Sequence, residues 1–165
     1  MAKYYIGTAG WSYEDWDGIV YPVRKGRGFH ALPYLADYIN IVEVNSTFYR
    51  PASPALARSW LKKIENLPDF LFSVKLHQSF THQREGFTQR DTDEFRAAVD
   101  LLHMQNRLAA LLVQFPWSYA NTPENTDYLL RLFGLFAGYP LAVEVRHASW
   151  DRPGFYGMLR ENRAG

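Results

Sequence analysis

Cysteine is absent from this 165-residue chain. Disulfides and thiolate metal sites are therefore excluded, although the absence alone does not fix a compartment. No apolar run approaches the roughly 20 residues needed to cross a bilayer, so a membrane-spanning role is not expected. The chain enters a strand-like run directly after Met1, Ala2 and Lys3. It lacks the charged, apolar and small-residue succession of a signal peptide, and a cytoplasmic location is expected. Charge of one sign is scarce too. With 18 Lys and Arg against 17 Asp and Glu, the formal net charge is +1, which argues against nucleic acid or acidic lipid as a partner and requires any polyanion site to be local. Low-complexity segments, charge blocks and internal sequence repeats are missing as well.

What is present is the composition of an ordinary globular domain, 47% apolar and 21% charged, and residues 1–165 read as one domain. Aromatic residues are abundant at 16%, from 5 Trp, 11 Tyr and 11 Phe. A large aromatic core accounts for many of them, and those in loops are candidates for stacking on sugars or bases.

Periodicity and punctuation divide the chain into five strand-then-helix units. Tyr4 to Thr8 reads as the first strand, followed by a long Gly- and Trp-rich loop from Gly10 to Gly28. Phe29, Leu32, Leu35 and Ile39 then recur at helical spacing. Ile41 to Phe48 is the second strand. Ser53 and Pro54 start the next helix as cap and first-turn proline, with Leu56, Trp60, Leu61 and Ile64 as its stripe. Phe70 to Leu76 forms the third strand, and a second long loop follows. Asp91 with Glu94 fits a capping box ahead of Phe95, Ala98, Val99 and Leu102. Leu108 to Phe115 is the fourth strand, Thr122 and Pro123 repeat the cap, and Gly138 stops that helix. Leu141 to Arg146 is the fifth strand, Phe155, Met158 and Leu159 mark a last helix, and no sixth strand is read. Connections of this length imply a parallel α/β sheet. A flavodoxin-like sandwich and a partial β/α barrel both remain open on composition alone.

In strands expected to be wholly apolar, polar residues stand out, and residues two apart share a face. Glu43, Asn45 and Thr47 share one parity in the second strand, and Ser73, Lys75 and His77 share one in the third. Gln114 ends the fourth strand, while Glu144 and Arg146 share a face in the fifth. All lean toward the carboxyl ends, where parallel α/β proteins bind ligands. Lys75 and Arg146 are the candidates for an anion, the arginine as a fork and the lysine as a point charge. Structurally, two acids and two bases can equally brace a barrel interior as a neutral network. His77, His82 and His147 follow strand ends and, with Glu43 and Glu144, are candidate metal ligands, although their spacing fits no compact motif. His30 and His103 read as helix-surface residues. Trp11, Trp16, Tyr49, Phe115, Trp117 and Trp150 fall in or beside loops at the same end.

Five segments are familiar in order: Gly7 to Tyr13, Val42 to Tyr49, Phe72 to Lys75, Gln114 to Pro116, and Val143 to His147 with Trp150. On these the chain resembles domain-of-unknown-function family 72, the YecE-like proteins. The resemblance implies an eight-stranded β/α (TIM-type) barrel of roughly 250 residues, similar in architecture to sugar isomerases and to a zinc-dependent DNA-repair endonuclease. It carries no settled activity. The matching positions are Glu43, Asn45, Lys75, His82, Gln114, Glu144, Arg146 and Trp150. Against that pattern the chain holds about five of eight βα units, and a truncated product, a frameshift or an incomplete piece is expected. The resulting expectation is an enzyme on a phosphorylated or polyhydroxylated small-molecule substrate. Glu43, Lys75, Glu144 and Arg146 carry the chemistry, with Trp11, Asn45, Tyr49, His82, Gln114, His147 and Trp150 around the substrate and the cofactor unassigned. A non-catalytic binding scaffold, or a chain without function alone, is the alternative.

Overall fold

Among the described residues five short strands alternate with five α-helices: β1 (Gly7–Ala9), α1 (Ala31–Ala36), β2 (Ile41–Val44), α2 (Pro54–Lys63), β3 (Leu71–Lys75), α3 (Gln89–Met104), β4 (Leu108–Gln114), α4 (Pro123–Leu135), β5 (Leu141–Glu144) and α5 (Pro153–Glu161). The computed structural model describes residues 3–84 and 87–165. The readings of Met1 and Ala2 as the run-in to the first strand, and of Glu85 and Gly86 as part of the second long loop, lie outside the described residues.

The strands pair in parallel, in the sequential order β1-β2-β3-β4-β5. This order excludes the flavodoxin-like sandwich of the two folds left open by the sequence. A flavodoxin-like sheet places the first strand between the second and third and winds helices onto both faces. Here every strand lies beside its sequence neighbour, so right-handed crossovers carry the helices to one face only, the winding of a β/α barrel wall.

Side-chain burial follows the same logic. Val42, Val44, Phe72, Val74, Leu111 and Val113 are buried beneath the helices, each contributing about 1.5–3 kcal/mol of apolar burial. Their neighbours Glu43, Ser73, Lys75, Leu112 and Gln114 are only partly buried on the opposite face. The register shift between β3 and β4, where Phe72 pairs Leu108 but Ser73 pairs Ala110, is needed for this. It skips Ala109, switching parity so that Leu108 and Leu111 both face the helices while Leu112 aligns with Lys75.

Local chemistry starts the helices. The hydroxyls of Ser53 and Thr122 accept from the amides of Leu56 and Asn125, each with proline next in line, as the sequence indicates. The third helix differs. Its capping box is Thr88 with Asp91, not Asp91 with Glu94: Thr88 Oγ1 accepts from the Asp91 amide, and Asp91 Oδ2 accepts from the Thr88 amide at 2.6 Å. The strands are shorter than read. Tyr4 to Ile6 stay outside the ladder because the Asn40 side chain takes up their backbone groups, accepting from the Ile6 amide and donating to the Tyr4 carbonyl. No sixth strand forms among the described residues, as read, but an isolated bridge follows α5. Ala164 bridges Leu141 in parallel, with Gly165 N–H donating to the Leu141 carbonyl at 2.9 Å and Val143 N–H to the Gly165 carbonyl at 2.8 Å.

Candidate functional site

The polar face of the sheet gathers Glu43, Ser73, Lys75, Gln114 and Glu144. Glu43 is in register with Ala9 and Ser73, Lys75 with Leu112, and Gln114 with Glu144. Arg146 follows β5 and turns back, its Nε donating to Glu144 Oε1 at 2.9 Å. Gln114 Nε2 donates to Glu144 Oε2. Partial burial alone would raise the Glu144 carboxyl, but the hydrogen bonds from Gln114 and Arg146 and the charges of Arg146 and Lys75 hold it below the usual carboxylate value. Glu144 is therefore an ionised, fully engaged carboxylate.

Glu43 is its opposite. Burial pushes its carboxyl up, opposed by the Lys75 charge and reinforced by Glu144. Among the described residues no side-chain hydrogen bond or ion pair reaches that carboxyl. Lys75 likewise has no ion pair there; its ammonium lies over the Phe48 ring, 4.7 Å from the centroid. The His82 ring meets the same phenyl edge to face at 4.7 Å, and His82 Nδ1 is 3.0 Å from Thr81 Oγ1. Burial, then the charges of Lys75, Arg146 and Arg84, pull the His82 imidazole below its usual value. Three cations thus bear on the His82 ring.

Several expectations need correction. β2 ends at Val44, so parity does not carry Asn45 and Thr47 onto the Glu43 face. Thr47 turns into the body, where its hydroxyl lies 2.7 Å from both the Val44 and the Lys75 carbonyls. Trp150 is not at the mouth but in the core, 1% exposed, with Nε1 donating to the Tyr119 carbonyl and its ring stacked on Tyr119. Phe115 is buried too, stacked on the same Tyr119 ring at 3.7 Å between centroids. His147 spends Nδ1 capping the turn at Ala148–Trp150, and its ring meets exposed Trp117. His77 similarly binds Ser79 and the Tyr49 carbonyl. Tyr49 is exposed and edge-on to Phe48, beside the cluster. Trp11 and Asn45 line a separate cavity between the first loop and α2. His30, read as a helix-surface residue, caps α1 and lines that cavity. Among the described residues no three His, Asp or Glu side chains come together as a metal site, and no helix is long and apolar enough to cross a membrane.

Phe48 and Arg84 are the residues that sequence reading missed. Phe48 sits inside the familiar Val42 to Tyr49 segment, and only its place between Lys75 and His82 reveals its part. Arg84 lies in the left-handed region at φ 58°, donates to Asn125 Oδ1 at 2.8 Å and covers the Tyr119 ring. Nothing in its local sequence marks it.

Comparison with known proteins agrees with this architecture. The UPF0759 protein YunF of Bacillus subtilis is 31% identical over 157 residues, covering 92% of this chain and 54% of its own length. A DUF72 family protein of Thermotoga maritima superposes with a TM-score of 0.74 at 36% identity, over 96% of this chain and 61% of that one. A DUF72 family protein of Enterococcus faecalis gives 0.72 at 25% identity, over 81% and 56%. The chain thus spans little more than half the length of these relatives. The model of the family described as protein of unknown function DUF72 matches residues 5–165, and the chain belongs to that family.

Proposed function

We propose that the strand-end cluster is the acid–base site of an enzyme acting on a small anionic, polyhydroxylated substrate such as a sugar phosphate. One observation carries this reading: of the two carboxylates on the polar face, Glu144 is engaged by Gln114 and Arg146, whereas Glu43 is half-buried, unpaired among the described residues and pushed up toward protonation. Two carboxylates whose surroundings drive them apart divide into a proton carrier and a fixed anion. Glu43 takes or gives the proton. Lys75 and Arg146 hold the substrate's anionic group, Arg146 aimed by Glu144. His82 stays neutral beside them, able to donate or accept a hydrogen bond, and the Phe48 and Tyr49 rings flank the site.

The test uses thermal shift and turnover with glucose 6-phosphate and fructose 6-phosphate as probes. Lys75→Met and Arg146→Met should each lose the ligand-induced shift. Glu43→Gln should retain binding and lose turnover. Binding unchanged in both cation variants would end this reading.

A second reading is favoured by the Glu144, Gln114 and Arg146 network, which is complete without a ligand. In it these charges brace strand register and the protein is a binding scaffold. Loss of stability in Glu144→Gln without any ligand effect in Lys75→Met would support it.

A further inference from the structure

A cavity of about 410 Å³ opens between the loop after β1 and the outer side of α2. None of Glu43, Lys75, Glu144 and Arg146 lines it. Its volume falls within the range of small-molecule sites. Its apolar walls are Trp11, Trp60 and Leu56, with Trp11 edge-on to Trp60 at 5.7 Å between centroids. Polar residues line the remaining sides: Lys63, His30, Asn45, Ser12, Ser46 and Ser59. No carboxylate lines it, and Lys63 has no ion pair among the described residues; its Nζ donates only to Ser59 Oγ, at 2.6 Å.

The loop that forms the cavity is held from behind. Gly10 turns at φ +88°, a conformation that favours glycine, and its N–H donates to the Glu43 carbonyl at 2.9 Å. The Tyr21 hydroxyl donates to the Trp11 carbonyl, and that of Tyr13 to the Ala9 carbonyl. Trp60 is 5% exposed and anchored in α2. The aromatic wall is therefore present before any ligand arrives, which lowers the ordering cost of binding.

We propose that this cavity is a second binding site, for a small cyclic or aromatic monocarboxylate, with its ring against Trp11, Trp60 and Leu56 and its carboxylate on Lys63 and His30. The charge count sets the class. His30 Nδ1 accepts from the Leu32 amide at 3.3 Å, which leaves Nε2–H as the donor of a neutral ring. Burial and the Lys63 charge also keep this imidazole below its usual value. One cation and neutral donors match one negative charge rather than a phosphate dianion, and the mainly apolar walls match a ring rather than a sugar.

The experiment titrates the purified protein with benzoate, cyclohexanecarboxylate and indole-3-acetate, read by calorimetry and tryptophan fluorescence, with benzamide as the neutral control. At least one acid should bind saturably, and benzamide about tenfold or more weaker than benzoate. Lys63→Ala should weaken the acid about tenfold without changing the unfolding midpoint, and Leu56→Trp, which fills the cavity, should abolish binding. Lys75→Met should leave it intact. Equal binding of benzamide and benzoate, no saturable binding by any of the three acids, an indifferent Lys63→Ala, or loss in Lys75→Met each overturns the assignment.

Discussion

Replacing Thr47 by Val tests whether the carboxyl ends of β2 and β3, which carry Glu43 and Lys75, are clasped by a single hydroxyl. Thr47 is 2% exposed, and its Oγ1 lies 2.7 Å from the carbonyls of Val44 and Lys75. One O–H carries one proton, so the two carbonyls share a bifurcated bond or alternate as its acceptor. Valine keeps the branched shape and removes the donor. The cost is one net hydrogen bond together with a buried carbonyl left short of a partner, about 1–3 kcal/mol. For a chain of this size, ~2 kcal/mol lowers Tm by about 4–8 °C. Urea unfolding followed by circular dichroism should move the midpoint at unchanged slope, because the exposed surface hardly changes. Thr47→Ser retains the hydroxyl and loses one methyl, worth about 0.8 kcal/mol. The expected stability order is wild type, then Ser, then Val. A Thr47→Val variant within about 0.5 kcal/mol of wild type, or one more stable than Thr47→Ser, refutes the clasp.

Glu43 carries the pH dependence. Its folded-state pKa is raised, chiefly by burial, so the folded protein binds that proton more tightly than the unfolded chain. Its contribution to stability therefore increases as pH falls through the raised folded value and levels off below the ordinary carboxylate range. Glu43→Gln should be more stable than wild type at neutral pH, the gap closing on acidification; urea midpoints across that range check it, and a less stable variant at neutral pH contradicts it. Trp150→Phe removes the indole donor from the Tyr119 carbonyl and should cost about 1–3 kcal/mol while leaving ligand-induced thermal shifts untouched, whereas loss of ligand response would return Trp150 to the site. Gly7→Ala would drive its Cβ into the Ile41 carbonyl oxygen and part β1 from β2, costing about 2–3 kcal/mol as a few ladder bonds at about 1 kcal/mol each are lost. Hydrogen exchange at the Gly10 amide, which donates to the Glu43 carbonyl, should accelerate, and unchanged protection would count against the close approach.

The sequence by itself determined what depends on neighbours a few residues away. Ser53 with Pro54 and Thr122 with Pro123 start their helices as read, since a cap hydroxyl needs only the amide three residues on. Strand parity likewise exposed Glu43, Lys75 and Glu144 as polar positions on one face, because alternation within a strand is local. Parity failed where the strand stopped. Beyond Val44 the backbone enters a helical turn, and Thr47 points where the paired ends of β2 and β3 offer carbonyls.

Tertiary structure alone decided the rest. Strand order rests on pairings between residues 30 or more apart, such as Glu43 with Ser73, and no local pattern distinguishes a one-sided winding from a two-sided one. Trp150 looks like a loop aromatic until Tyr119 supplies a stacking face and a carbonyl from 31 residues away. Trp11 and Asn45 look like partners of Glu43 until α2 brings Trp60 and Lys63 beside them and turns them to another cavity. The two glutamates illustrate the division. Their presence on one face is a property of the sequence, as is the nearness of Arg146 to Glu144, whereas the full engagement of Glu144 beside an unpaired Glu43 arises only when Gln114 arrives from β4, 30 residues away.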